Sequence, residues 1–263
     1  MSNSLCRIAT ALVVLAAPQI AASQNGQSDP PFSDTAGTVF DIIRTSDPTT
    51  LTCLVPSGRG ERQIWDKRIE DEPVIDAFLF DAHYSDGTNI EIAINPEFGD
   101  AALAEAERYA APLGQLPTPL REGIDRFSVH AGRAGFHAGT GQIVVYAETT
   151  DNRLDYDHLE ESLFHEAVHA SWDADYRLSA GWIAAQQADG MFLTEYGQNS
   201  PEREDLAETA LFAFALLHHP DRFPPADTAA TRNAVPHRIE YVAGLLPVDR
   251  PLVHSVSDPF ACP

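Results

Sequence analysis

The sequence of 263 residues predicts an α+β fold, with a small mixed sheet in its first part and mainly helices in its second. Three observations predict it. Strand-like patterns, including an Asp-Gly turn between two apolar runs, fall before about residue 150. Helix bodies with start and stop signals crowd the stretch from about 151 to 250. No internal repeat and no linker interrupt the chain after residue 38, so both parts read as one domain spanning 39–263.

The elements follow in order. Residues 1–23 hold a single cation, Arg7, then the apolar run IATALVVLAA, then Ala21 and Ser23 just before Gln24. This is the layout of a secretory signal peptide cut near Ser23-Gln24, and it predicts a secreted or periplasmic protein. The apolar run is too short to cross a bilayer, and no later run is long enough, so no membrane span is expected. QNGQSDPPFSDTAGT (24–38) reads as a flexible leader. VIDAFLFDAHYSDGTNIEIAINPEFG (74–99) reads as a hairpin turning at Ser85-Asp86-Gly87. Asp100 is placed to cap a helix, ALAEAERYAAPLG, that stops at Gly114. Residues 116–141 are thick with Pro and Gly and predict loops and short elements. QIVVY (142–146) is a compact strand, expected at the edge of the sheet.

Asp157 and Glu160 suggest a capping box for a helix with the body LEESLFHEAVHASW. A second helix, 180–188, ends at Asp189-Gly190. Ser200-Pro201 is expected to open a third, running through LAETALFAFALLHH to Pro220. A last helix follows Pro236.

Composition narrows function. The formal net charge of −22 repels nucleic-acid backbones, so nucleic acid is excluded as a partner. With the leader peptide removed, two cysteines remain, Cys53 and Cys262. In an exported chain they most simply form one disulfide, two free thiols being the alternative.

The chemistry is concentrated in His165-Glu166-Ala167-Val168-His169, an HExxH pattern. Histidines four residues apart share one helical face and can bind one zinc ion, Zn2+. Glu166 is then placed to serve as general base. Catalytic zinc sites take three protein ligands, so a third must come from elsewhere. The acid-rich EREDLAE (202–208) is the place to look. Glu202 suits the positive end of a helix. Glu204 and Glu208 share a face, and Asp205 points about 100° away from Glu204. Glu204 as ligand, with Glu208 holding the N–H of a bound histidine, is the favoured reading. Asp205 stays open as the ligand if the preceding loop shifts register. Asp173, four residues after His169, is a partner for a histidine, a substitute third ligand, or simply the polar end of its helix. Trp172 and Trp182 read as core aromatics rather than substrate contacts, and His130 and His137, in the glycine-rich HAGRAGFHAGTG, carry no assigned role.

HEAVH, then TEYG, then EREDLAE resembles the catalytic domain of anthrax lethal factor and the bacterial Pro-Pro endopeptidases. Phrases such as RYAAPLGQLP, HEAVHASWD, GWIAAQQADG and YGQNSPEREDLAE also resemble a group of uncharacterised secreted bacterial proteins, over about residues 75–245. The resemblance implies a zincin-like fold and a secreted zinc-dependent endopeptidase acting on peptide or protein. It implies His165, His169 and Glu204 as zinc ligands, Glu166 as base and Glu208 as support. It also implies that the Tyr196 hydroxyl stabilises the oxyanion. One departure stands out: Tyr196 and Glu204 lie one residue further apart than in lethal factor. The alternatives to a peptidase are an inactive, zinc-stabilised binding module of the same fold and a zinc hydrolase of a non-peptide substrate.

Overall fold

Strand pairing begins where the sequence alternates. In the computed structural model, which describes residues 29–36, 41–257 and 260–262, strand β1 (Leu51–Gln63) pairs antiparallel with β2 (Val74–Tyr84). Residues 1–23, expected from the sequence to be a signal peptide, lie outside the described residues. β2 turns back into β3 (Asn89–Ile94) as a hairpin. Asp86 closes the turn by accepting from the Thr88 N–H and hydroxyl, at 3.2 and 2.7 Å. Gly87 sits at φ 87°, a conformation that a side chain would strain. Ile90, Ile92 and Ile94 point to one face and are fully buried, as period-two alternation requires.

β4 (Arg126–His130) lies parallel to β3, and β6 (Gln142–Tyr146) parallel to β4. β5 (His137–Gly139) pairs antiparallel along the outer side of β6. The sheet order is therefore β1-β2-β3-β4-β6-β5. This corrects the placement of QIVVY, which is not the edge. Its side chains alternate between two buried clusters, Ile143 and Val145 on one face, Val144 and Tyr146 on the other. Burial on both faces is the mark of an interior parallel strand. The edge is the three-residue β5, set among glycines and too short to show a period.

The helices pack largely on one face. They are α1 (Ala102–Leu113), α2 (Thr118–Arg121), α3 (Ala147–Asp155), α4 (Leu159–Trp172), α5 (Ala180–Asp189), α6 (Glu195–Asn199), α7 (Asp205–His218), α8 (Pro225–Ala234) and α9 (Pro236–Leu245). One apolar cluster joins the inner sheet face to α1, α4 and α7. Phe164 of α4 meets Phe214 of α7 with ring centres 4.8 Å apart. Trp172 and Trp182 belong to this core. Among the described residues, no helix is long and apolar enough to cross a membrane.

Several helix starts differ from the sequence expectation. Asn95 rather than Asp100 caps the chain ahead of α1: its side chain accepts from Glu97 N–H at 2.9 Å and opens a short 3-10 turn. The Asp157–Glu160 box is not formed. Asp157 is at φ 49°, and the Glu160 carboxylate instead accepts from the Thr45 hydroxyl at 3.0 Å. Ser200-Pro201 does not open α7 but starts a turn, and the helix begins at Asp205. α5 ends as expected, at Gly190 with φ 70°. Cys53 and Cys262 form a disulfide that ties the C-terminal tail to β1.

Part of the expected leader is not free. Phe32 pairs with Thr194, and its ring lies 4.6 Å from that of Phe212. The backbone N–H groups of Glu195 and Tyr196 donate to Phe32 and Ser33 carbonyls, each at 2.9 Å. An aromatic residue beside apolar core outweighs the polar composition around it.

Candidate metal centre

α4 carries His165 and His169 one turn apart on the face that looks toward α7. Glu204 is the residue that precedes α7, held there by its N–H bond to the Ser200 carbonyl at 2.8 Å. This turn places the Glu204 carboxylate against both rings. His165 Nε2 and His169 Nε2 are 3.2 Å apart, and Glu204 Oε2 lies 3.5 and 3.1 Å from them. The three atoms form one small, nearly equilateral triangle, and the group could hold a metal ion.

The other ring nitrogens are engaged, which fixes how the rings face. His169 Nδ1 meets the Asp173 carboxylate at 2.9 Å. His165 Nδ1 lies 3.4 Å from Glu208 Oε1 and 3.3 Å from the Thr35 hydroxyl. Nδ1–H donation to these acceptors leaves each Nε2 lone pair directed at the triangle. Glu208 is itself held, accepting from Thr35 N–H at 2.9 Å and from its hydroxyl at 2.7 Å.

These contacts set the charge states. Burial opposes a charged His169 ring, but hydrogen bonds to Asp173 and Glu204 overcome it and push the ring up to about 10. Burial also opposes a charged Glu204, yet hydrogen bonds from His165 and His169 hold its carboxyl well below the usual range. Glu166 is almost fully enclosed, and burial raises its carboxyl above the ordinary value.

Asp205 does not approach the histidines. It is buried against Arg238, which also pairs with Asp189, and it accepts from Gln186 at 2.9 Å. Of the two neighbouring acids, Glu204 is the one in register. Glu202 is exposed on the turn. Asp173 stands beside His169 as an orienting partner and is not in the triangle.

The site opens into a cavity of about 310 Å³ lined by His165, Glu166, Tyr196 and Phe136, among others. Tyr196 is about half exposed at its wall. Burial, then the Glu204 carboxylate, pushes its phenol up to about 12, so it stays a proton donor. A second depression, of about 270 Å³, is bordered by His169, Asp173 and the β5 residues Ala138 and Gly139. The β5 edge thus lies beside the histidine pair. His137, on that edge, is pushed down to about 4 by burial and the nearby charge of Lys67. His130 stands apart, bonded to Asn95 at 2.8 Å and to the Trp65 carbonyl at 3.1 Å.

Four residues near the site carry no sequence signal. Thr35 holds Glu208. His158 donates to the Thr35 carbonyl at 3.0 Å. Glu161 is wholly buried, accepting from Ile42 and Ile43 N–H at 2.6 and 2.8 Å. Arg153 lines the cavity. Their partners are remote in sequence, so no local pattern could announce them. No protein-family model, curated protein or solved structure matches this chain.

Proposed function

We propose that the protein is a secreted, zinc-dependent endopeptidase with a zincin-like fold. The observation that carries this reading is the triangle of His165 Nε2, His169 Nε2 and Glu204 Oε2, with sides of 3.1 to 3.5 Å. Ligands about 2.0–2.1 Å from a tetrahedral zinc ion stand about 3.3–3.4 Å from one another, because a tetrahedron's edge is about 1.63 times its radius. The donor set fits too: two imidazoles and one carboxylate leave a fourth position for water or substrate. Zinc, when bound there, supplies Lewis acidity and lowers the pKa of water.

The chain's own residues supply the rest. Glu166, raised by burial and set in the cavity, takes a proton from water and passes it to the departing amine. The Tyr196 phenol, protonated across the working pH range, donates to the oxygen that gains charge on the scissile carbonyl. The exposed edge of β5 offers backbone groups to an extended peptide, which joins the sheet as a further strand. Asp173 and Glu208 keep the two imidazoles turned toward the ion.

The test is elemental analysis of the mature protein together with cleavage of a diverse peptide library by wild type and by Glu166→Gln. One zinc per chain in both proteins and cleavage by wild type alone are expected. Stoichiometric zinc with no cleavage by wild type would instead support the binding-module alternative.

A further inference from the structure

Cations are scarce in this chain, 17 against 39 acids, so a lysine or arginine meets a carboxylate almost wherever it lies. Among the described residues twelve arginines make ion pairs, and four cations do not: Lys67, Arg153, Arg177 and Arg232. Three of those four border the site. Lys67 and Arg153 line the cavity beside His165 and Glu166, and Arg177 borders the depression beside His169. Arg153 Nε is buried and has no hydrogen-bond partner, and leaving such a donor unmet is costly. Its place in the last turn of α3 suits a positive charge at a helix end, but explains neither its position in the cavity wall nor the unmet donor. Lys67 reaches the rim of the same cavity, where a Cβ placed on Gly135 would lie 3.3 Å from its ammonium.

The acids of that cavity are already committed. Glu208 accepts twice from Thr35, and Asp34 is held by an interaction within the chain. Glu161 accepts from Ile42 and Ile43 on one oxygen; its other, wholly buried and without a hydrogen-bond partner, faces His158 Nδ1 at 3.7 Å and sits in a carboxyl that burial pushes toward its neutral form. Glu166 is the proposed base. The cations are therefore what the cavity has to offer an incoming ligand. An enzyme that repels anions at long range through a charge of −22 has kept its uncompensated positive charge where substrate enters.

We propose that Arg153 and Lys67 form a carboxylate-binding subsite next to the catalytic residues, and that the substrate is an acidic peptide. This rests on the peptidase reading above. The carboxylate comes from an Asp or Glu side chain near the scissile bond, or from the C-terminus of a short substrate; both would meet the guanidinium as a charge-assisted pair.

The test uses the zinc-loaded mature chain carrying Glu166→Gln, so that bound peptide is not cut. Fluorescein-labelled octapeptides are offered in pairs with Glu or Gln at each position, and each pair is made with a free and an amidated C-terminus. Anisotropy titration should show tighter binding of a carboxylate peptide by about tenfold. That advantage should shrink with added salt and vanish when Arg153→Gln and Lys67→Gln are added. Arg153→Lys should retain part of it, and Arg153→Glu should favour Lys-containing peptides. Zinc content and circular dichroism, unchanged across the variants, exclude misfolding. A preference tied to Glu rather than Gln identifies a side chain as the source, and one lost on amidation identifies the C-terminus. Equal binding of charged and neutral peptides overturns the proposal, as does a preference that survives loss of both cations. Wild-type cleavage without acidic preference sinks the subsite and leaves the peptidase standing. Acidic preference without cleavage by wild type does the reverse, and no binding of any peptide sinks both.

Discussion

Two adjacent carboxylates at a helix start diverge by about 100°, so residues 204 and 205 meet different partners. Glu204 faces the histidines, and Asp205 faces Arg238, which is fully buried. Opposite outcomes follow on substitution. Glu204→Gln should leave the fold intact and abolish stoichiometric zinc. Asp205→Asn should keep zinc but lower stability by about 3 kcal/mol, since part of a buried arginine's charge loses its partner. Zinc analysis and urea unfolding of both variants decide this, and zinc loss in Asp205→Asn rather than Glu204→Gln would reverse the assignment. The sequence made Glu204 legible because its spacing to Glu208 suits one helix face. It could not show what Asp205 does, because Arg238 lies far along the chain.

Glu161 gives a second outcome at this scale. Burial raises its carboxyl from 4.5 to about 7, against the pull of three backbone N–H groups, those of Ile42, Ile43 and Glu161 itself. The folded chain therefore keeps a proton that the unfolded chain has released. Stability contributed here is full below the unfolded value, falls as pH rises from about 4.5 to about 7, and then levels off. Glu161→Gln keeps an acceptor for Ile42 and Ile43 and removes the ionisation. His158, pushed down to about 4 by burial, stays neutral, and its Nδ1 lies 3.7 Å from Glu161 Oε2, so an amide there faces no charge and needs a shift of about a few tenths of an ångström to donate to it. Urea midpoints should show the variant gaining on wild type on the order of 3 kcal/mol between about pH 5 and about pH 8. An identical pH slope in the two proteins would refute the assignment.

Elements position these side chains, and here the sequence was legible unevenly. Long periodic segments such as α4 and α7, and the β2–β3 hairpin with its Asp-Gly turn, show their nature locally. β1 did not, because LTCLVPSGRGERQ lacks alternation. It lies at the outer edge of the sheet, where Pro56 is tolerated and the register shifts between Pro56 and Gly58. β5 is too short to show a period, so its inner neighbour was read as the edge. The segment 29–36 looked like leader because its composition is polar, yet Thr35 anchors Glu208 and the adjoining backbone holds the stretch that carries Tyr196. Thr35→Val removes one of two bonds to Glu208 and should weaken zinc binding about tenfold. A chain beginning at residue 37 loses both and should weaken it further. Competition with a chromogenic chelator measures this. Unchanged zinc affinity in the shortened chain would show that the segment plays no part in the site.

At the scale of the molecule, one covalent tie joins the start of the sheet to the end of the chain. Cysteine arithmetic made the Cys53–Cys262 pair legible once the N-terminal stretch was set aside. The sheet order was not, because the parallel crossings from β3 to β4 and from β4 to β6 depend on contacts that no local pattern reports. The disulfide closes a loop with a sequence separation of 209. Cross-linking so long a loop restricts the unfolded chain most, and the chain-entropy relation gives about 5 kcal/mol as its upper value. The tail that it secures runs over the sheet and α2: the Leu252 carbonyl accepts from Thr118 N–H at 2.9 Å, and Phe260 stacks on His83 at 3.6 Å. None of these residues lines the cavity at the metal centre. Stability and metal binding should therefore separate. Replacing both cysteines by serine should lower unfolding free energy by several kcal/mol, up to about 5, while zinc stoichiometry and affinity stay as in wild type. Denaturant unfolding beside chelator competition on the same samples measures both, and zinc loss in step with the missing disulfide would mean that the tail supports the site as well as the sheet.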